Sequence, residues 1–295
     1  MALLQISYLS DVFQRTVPMR VVVPSDKVVG DDYCNEPGHP YKLMILMHGY
    51  HGSYVDWTNA TRIQKWAETH NFVVAMPSGD NAFYIDYDIR DEHYGEFLGE
   101  ELYEVMSRMF CISPRREDHF ICGLSMGGYG ALVNGLKYHE TFGYIGALSS
   151  GVETFENTPE EKEEMALLDL LEMRLRGRVE ENRETERNPR WLAGRVMEAH
   201  RSDPEHNHLP RIYMTCGLQD NLLSSNRRLA EGLSEMGYDV TYVEHPGEHA
   251  WTYWDPELQD ILDWLPLESS AEGLDSGHIA TELQPDAACD ATTEN

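Results

Sequence analysis

Residues 118–130 read DHFICGLSMGGYG and contain a serine with glycine two positions to either side, Gly123-Leu124-Ser125-Met126-Gly127. The apolar run His119-Phe120-Ile121-Cys122 precedes it, and a segment rich in small residues follows. A serine in a cramped turn between a strand and a helix projects its hydroxyl from the end of a sheet. Glycines two before and two after are required because side chains there would collide with the neighbouring strand and helix. The helix that opens at the turn offers free N–H groups, and the positive end of its dipole, to an oxyanion formed beside the serine. The chemistry this pattern suits is acyl transfer through Ser125 as nucleophile.

A serine hydroxyl is a poor nucleophile at neutral pH unless a base takes its proton and a carboxylate orients that base. In sheets of this kind the chain order is serine, acid, histidine. Asp220, in MTCGLQDNLL, follows the apolar run Arg211–Cys216, and His249, in EHPGEHAWTYW, follows Val240–Glu244. His245 competes for the role of base, because it lies closer to the strand end and Pro246 stiffens it. His249 is the better candidate: a glycine-containing loop precedes it and a helical segment follows, so it can reach over the serine. Asp220 would also suit a turn or a helix cap. Asp86 and Glu244 could orient a histidine but come from the wrong segments. The oxyanion needs two N–H donors. Met126, directly after the nucleophile, is one; the turn His48-Gly49-Tyr50-His51-Gly52-Ser53 supplies the other, assigned to the Tyr50 N–H. His200, His206 and His208 fit no helix face and read as solvated. Serine chemistry requires neither metal nor cofactor.

The elements that must carry these residues alternate along the chain. Strands are predicted at Val17–Val23, Lys42–Met47, Phe72–Met76, Phe120–Gly123, Tyr144–Ser149, Arg211–Cys216 and Val240–Glu244. Helices are predicted at Thr58–His70, Gly95–Phe110, Met126–His139, Ser224–Met236 and Pro256–Leu265. Continuous apolar strands interleaved with helices imply a mostly parallel sheet covered on both faces. The strands before His48 have no helix between them and are expected to pair antiparallel. Residues 151–208 carry a dense mixed charge. Met165, Leu168, Leu171, Leu175 and Val179 recur there at helical spacing, which predicts an amphipathic helix pair inserted after the strand at Tyr144, a cap-like insertion over the site or a solvated surface one. The catalytic domain is therefore expected over 1–266. Residues 267–295 contain no Phe, Trp, Tyr, Lys or Arg and read as an acidic disordered tail.

Composition bounds the function further. The chain has 295 residues, 41% of them hydrophobic, enough for one large core. A formal net charge of −28 argues against nucleic acid and anionic membrane surfaces as partners. No run is long enough to span a membrane, and the opening MALLQISYLSDVFQR lacks the features of a secretory signal, which points to cytoplasmic residence. Five cysteines without a C-x-x-C pair suggest neither a disulfide framework nor a zinc site, and Cys111, Cys122 and Cys216 are expected to be buried thiols. The composition leaves oligomerisation open. Trp57, Phe83, Tyr84 and Trp251 follow motifs that converge on the strand ends and are candidates for binding substrate; Trp254 is expected in the core.

Together these motifs resemble the α/β-hydrolase superfamily and, within it, the esterase D-like tributyrin esterases. The similarity runs through LMHG…DW at 46–57, MPSGDNAFY at 76–84, GLSMGGYGAL at 123–132, FGYIGALSSG at 142–151, GLQD at 217–220 and PGEHAWTYW at 246–254. It implies an α/β-hydrolase fold and hydrolysis of short-chain acyl esters, the partner being a small-molecule ester; the flat aromatic faces near the strand ends suit a sugar or aryl alcohol. It also implies Ser125, Asp220 and His249 as a triad, with Tyr50 and Met126 at the oxyanion hole. Alternatives on the same triad are acyl transfer and S-formylglutathione-type thioester hydrolysis. The non-enzymatic alternative is a silent carbohydrate-binding module. Tyr50-His51, the charged 151–208 segment and the acidic tail depart from the shared pattern.

Overall fold

Strand β5 (Lys42–Met47) is buried along nearly its whole length: Leu43, Ile45 and Met47 enter one apolar cluster, Met44 and Leu46 the other. A strand covered on both faces must be apolar at successive positions, which its sequence KLMILM provides. β6 (Phe72–Pro77) and β7 (His119–Leu124), its neighbours on either side, are buried throughout. The computed structural model describes residues 1–25, 28–29, 32–33, 40–87, 92–158, 160 and 178–267. Among the described residues the sheet has eight strands. Besides the three above they are β1 (Ala2–Ser10), β2 (Arg15–Val23), β8 (Tyr144–Leu148), β9 (Arg211–Thr215) and β10 (Val240–Val243). The order is β1-β2-β6-β5-β7-β8-β9-β10, with β3 (Val28–Val29) and β4 (Asp32–Tyr33) forming a separate short antiparallel pair.

Helices cover both faces. On one side Leu98 and Leu102 pack with Leu132, Leu192 and Leu229. These come from α3 (Tyr94–Glu96), which runs through a π-helical turn (Phe97–Glu101) into α4 (Leu102–Met109), and from three further helices. The three are α5 (Met126–Lys137), α7 (Pro189–Ser202) and α8 (Leu223–Met236), while the short α6 (Glu153–Glu156) precedes α7. On the other side α1 (Asp56–Ala60), α2 (Ile63–Thr69) and α9 (Trp251–Trp264) contribute Trp57, Ile63, Trp66, Leu258 and Ile261. This is the expected α/β-hydrolase architecture.

Register brings the site together. Met47 lies opposite Gly123, Leu124 opposite Leu148, Leu148 opposite Thr215, and Thr215 opposite Val243. The carboxyl ends of β5, β7, β8, β9 and β10 therefore share one edge, and the residues just beyond each strand emerge side by side. β5 is followed by β6 on one side of it and then β7 on the other. Such a reversal of strand order opens a crevice at the carboxyl ends, where open α/β sheets bind ligands.

Several expectations are corrected. β1 was not foreseen; its alternating half-buried and exposed residues make it the edge of the sheet. β1, β2 and β6 pair antiparallel, whereas β5 runs parallel to both its neighbours. The helix expected over Thr58–His70 breaks at Thr61, which is extended; its hydroxyl donates to the Trp57 carbonyl and accepts the Ile63 N–H at 3.2 Å. α9 begins at Trp251, before Pro256. Proline there removes one hydrogen bond, to the Thr252 carbonyl, at an exposed position open to water. Cys111 is exposed. Within residues 151–208, α7 packs on α5 and α8 as part of the crossover between β8 and β9. Val179 is buried in the main core, and Met165, Leu168, Leu171 and Leu175 lie outside the described residues, as do Cys34, Cys289 and 268–295.

Candidate active site

Ser125 joins β7 to α5 with φ 54° and ψ −116°. A non-glycine residue held there stores about 1–3 kcal/mol of strain. The surroundings enforce it: the Ser125 N–H donates to the Leu148 carbonyl at 2.9 Å, and its own carbonyl accepts the Tyr129 and Gly151 N–H groups, each at 3.0 Å. The flanking glycines are obligatory. A Cβ on Gly123 would fall 2.5 Å from the Gly127 backbone, and one on Gly127 would fall 2.5 Å from the Met47 carbonyl.

His249 Nε2 stands 3.0 Å from Ser125 Oγ, and His249 Nδ1 stands 2.9 Å from Asp220 Oδ2. The partners fix the tautomer: Nδ1–H donates to the carboxylate, leaving Nε2 to accept the serine proton. Asp220 Oδ1 accepts the Leu222 N–H at 2.9 Å, so the residue makes its turn and orients the histidine at once. Burial would raise the Asp220 carboxyl. Its bonds to the His249 ring, the Leu222 N–H and the Ser149 hydroxyl outweigh that and hold it below the usual aspartate value.

Two loops carry the acid and the base, and they are zipped together. The Leu218 N–H donates to the His245 carbonyl at 2.9 Å, the Gln219 N–H to the Gly247 carbonyl at 3.0 Å, and the Gly247 N–H to Gln219 Oε1 at 2.7 Å. The loops can approach this closely because Gly217 has no side chain; a Cβ there would meet the Gly247 carbonyl at 2.3 Å. His245, the rival base, is bonded elsewhere. Its Nδ1 lies 2.7 Å from Glu257 Oε1, and the Thr215 hydroxyl donates to Glu257 Oε2 at 2.7 Å. Asp86 is taken by Lys137 and the Gly95 N–H, and Glu244 by Arg227.

The turn after β5 lies against Ser125: a Cβ on Gly49 would sit 3.4 Å from that of Ser125. Sequence reasoning overlooked what holds this turn. His48 is buried; its Nδ1 lies 2.7 Å from the Gly49 carbonyl, and its Nε2 accepts the Gly79 N–H at 2.9 Å. Only a neutral imidazole protonated at Nδ1 satisfies both, and burial pushes the His48 pKa down. The sequence shows only that His48 is the first residue beyond the strand; its partner, the Gly79 N–H, comes from another loop. Among the described hydrogen bonds neither the Tyr50 nor the Met126 N–H has a partner, and Met126, as the first residue of α5, has no intrahelical acceptor.

The aromatic candidates separate. Trp57 and Tyr84 were expected to bind substrate but are 1% and 0% exposed. Each instead holds backbone: Trp57 Nε1 donates to the Met47 carbonyl at 3.0 Å, and the Tyr84 hydroxyl to the His48 carbonyl at 3.1 Å. Phe83 and Trp251 are half-buried. Phe83 lies 5.8 Å from the Tyr50 ring and 6.2 Å from that of Tyr129. Among the described residues His245, Glu257 and Asp260 bring potential metal-ligand atoms within 4.8 Å of one another. That group already closes on itself through the His245–Glu257 bond. His206 is exposed and pairs with Asp203, and His200 bonds the Asn207 carbonyl. A cavity of about 350 Å³ beside the C-terminal half of α5, lined by Asp86, Asn134, Lys137 and Arg187 among others, includes none of the residues around Ser125.

A histidine between a buried carboxylate and a serine at a strained strand–helix turn, beside unpartnered N–H groups, can perform acyl transfer. Known proteins agree. The model of the family described as "Putative esterase" matches residues 10–265. An acetyl esterase of Caldicellulosiruptor saccharolyticus is 33% identical over 267 residues, covering 90% of this chain and 98% of that protein. The substrate-bound structure of FphF, a fluorophosphonate-binding serine hydrolase of Staphylococcus aureus, superposes with a TM-score of 0.74 at 25% identity, covering 90% of this chain and 98% of that one. The S-formylglutathione hydrolase FrmB of Staphylococcus aureus shares the fold, with a TM-score of 0.72 at 24% identity over 90% of this chain and 98% of that one. The chain belongs to the "Putative esterase" family, and it is a serine ester hydrolase.

Proposed function

We propose that the chain hydrolyses short-chain acyl esters, acetyl esters foremost, through an acyl-enzyme on Ser125. The observation that supports this most is the unbroken line of hydrogen bonds from Asp220 through His249 to Ser125 Oγ, at 2.9 and 3.0 Å. Ser125 Oγ attacks the acyl carbonyl while His249 Nε2 takes its proton. Asp220 holds the tautomer and stabilises the imidazolium. The Tyr50 and Met126 N–H groups receive the oxyanion. As the intermediate collapses, His249 protonates the departing alcohol oxygen. It then removes a proton from water, whose oxygen attacks the acyl-enzyme, and Ser125 leaves with that proton.

The acetyl preference rests on the acetyl esterase that shares 33% of its residues with this chain. The half-buried Tyr50 and Phe83 rings beside the Gly49 turn offer flat faces for a sugar or aryl alcohol. Cytoplasmic residence fits the free thiols Cys111, Cys122 and Cys216, which suit a reducing compartment. Among the described residues no helix is long and apolar enough to cross a membrane.

The test is kcat/KM on acetyl, butyryl, octanoyl and palmitoyl esters, then on acetylated sugars, feruloyl esters and an acyl thioester. The expected maximum is at acetyl or butyryl, with sugar or aryl esters ahead of plain alkyl ones. A maximum at octanoyl or longer contradicts the acyl assignment. Equal rates on alkyl and sugar esters remove the aromatic platform, and a thioester ahead of every oxygen ester makes the protein a thioesterase.

A further inference from the structure

His249 must keep its ring over Ser125 although its side chain is 31% exposed and it follows a loop. Hydrogen bonds at its two nitrogens fix the ring's direction but do not stop it tilting about the line that joins them. Something must pack against the ring's side. Trp254 does so, perpendicular to it, with centroids 4.8 Å apart at 90°. Trp254 is itself held: its Nε1–H donates to Ser149 Oγ at 3.1 Å, and Trp251 meets its ring at 5.4 Å and 88°. Trp251 in turn meets Trp57 at 5.1 Å and 87°. Trp57 then donates its Nε1–H to the carbonyl of Met47, the last residue of β5 before the His48–Gly49–Tyr50 turn.

Three tryptophans thus run edge-to-face from the strand that carries one oxyanion donor to the ring of the base. Each contact is the perpendicular arrangement that aromatic quadrupoles prefer. Each indole has only two side-chain torsions to fix, and two of the three N–H groups are bonded. The Ser149 anchor is equally constrained. It is fully buried at φ 43°, directly beyond β8, with its N–H bonded to the Thr215 carbonyl at 2.8 Å, and its hydroxyl also reaches the Asp220 carboxylate. The series therefore touches the carboxylate end, the imidazole and the base of the oxyanion turn.

We propose that Trp57, Trp251 and Trp254 form a positioning series that holds the His249 imidazole in line with Ser125 and ties it to the oxyanion turn. They do not touch the reacting atoms; they act through His249 and Met47. This rests on the esterase reading with Ser125 as nucleophile. It assigns Trp251 to orientation of the base, where its half-exposed position alone would suggest a substrate platform. A displacement of about 1 Å in a catalytic group costs up to about 10²-fold in rate. The series should therefore act on kcat and leave KM nearly unchanged.

The experiment measures kcat and KM for p-nitrophenyl acetate, the rate of fluorophosphonate labelling, and Tm. The proteins are the wild type, Trp254→Phe, Trp254→Leu, Trp251→Leu, Trp57→Phe and the Trp57→Phe/Trp254→Leu double variant. Trp254→Leu should lose about 10- to 100-fold in kcat and in labelling rate, with KM within about threefold of wild type. Trp254→Phe, which keeps a ring, should recover most of the loss. Trp57→Phe should lose a few-fold, and that loss should largely vanish once Trp254 is Leu, because support can no longer be passed on. If Trp254→Leu does not yield folded protein, Trp251→Leu carries the same expectation. Folded variants with unchanged kcat overturn the proposal, as do independent, multiplying effects of Trp57 and Trp254. A raised KM with intact kcat in Trp251→Leu makes that residue a substrate platform and overturns its assignment here. A wild type that turns over no ester and takes no label defeats the esterase reading itself, a result distinct from all of these.

Discussion

Asp220–His249 and Glu257–His245 are two carboxylate–imidazole pairs whose histidines stand four residues apart on one loop. In both, a carboxylate no more than 5% exposed bonds the Nδ1 of its histidine, at 2.9 Å in the first and 2.7 Å in the second. The carboxyl of each also takes a second donor, the Leu222 N–H or the Thr215 hydroxyl. They differ in what else each ring faces. His249 Nε2 faces Ser125 Oγ, whereas His245 is nearly half exposed and has a second carboxylate, Asp260, 3.9 Å from Nδ1. A carboxylate–histidine pair is therefore not in itself catalytic machinery. The first is poised for chemistry because a strained serine turn meets its free nitrogen. The second ties the start of the histidine loop to α9.

The comparison breaks most sharply at the nucleophile. Ser125→Ala should lower turnover of p-nitrophenyl acetate by about 10⁴-fold or more with the fold intact, since alanine fits wherever serine does. His249→Ala should fall nearly as far. His245→Ala should stay within a few-fold of wild type in kcat/KM, and the reverse pattern would exchange the roles of the two pairs. Asp220→Asn, which disturbs the tautomer but not the packing, should lose about 10³- to 10⁴-fold in kcat. Glu257→Gln, measured alongside, should keep nearly all of it.

Stability should order the pairs differently. His245→Ala leaves the Glu257 carboxylate buried with the Thr215 hydroxyl as its remaining named partner, at a cost of about 1–3 kcal/mol. A chemical denaturation midpoint equal to wild type would mean that the second pair anchors nothing. The smallest effect is on pH dependence. Buried neutral His48 has a pKa below the ordinary histidine value of 6.5. The unfolded chain therefore binds the proton first, so the stability His48 contributes is whole above pH 6.5 and is lost as pH falls toward its folded value. Tm should be level from pH 8 to 7 and decline below about 6.5, with a shallower decline in His48→Gln. Asp220, whose pKa is depressed in the folded state, acts in a lower window: its contribution is whole above the ordinary value of 3.8 and lost beneath it.

The sequence made the candidate triad, which the structure brings within hydrogen-bond distance, legible because local chemistry constrains such residues. A serine between glycines needs a strand before and a helix after. The order of acid and base along the chain follows from the order of parallel strands whose carboxyl ends align. The buried strands were legible for the same reason, since β5 to β7 must be apolar on both faces. What could not be read depended on distant partners. His48 and Ser149 are ordinary polar residues until the Gly79 N–H and the Trp254 indole are brought to them. Trp57 and Trp251 look alike in sequence, and only packing buries the first against Met47 and leaves the second half open. β1 carries a weak alternation typical of a sheet edge, and α9 starts before a proline because one lost hydrogen bond at an exposed turn is tolerable.

One measurement reaches the central claim most directly: intact mass and peptide mapping after reaction with a fluorophosphonate, run in parallel on wild type, Ser125→Ala, His249→Ala and His245→Ala. The account predicts a single adduct on the peptide that contains Ser125. The adduct should be absent from Ser125→Ala, strongly slowed in His249→Ala, and formed at close to the wild-type rate in His245→Ala. An adduct on another residue, labelling that survives Ser125→Ala, or labelling slowed by loss of His245 and not of His249 would contradict it.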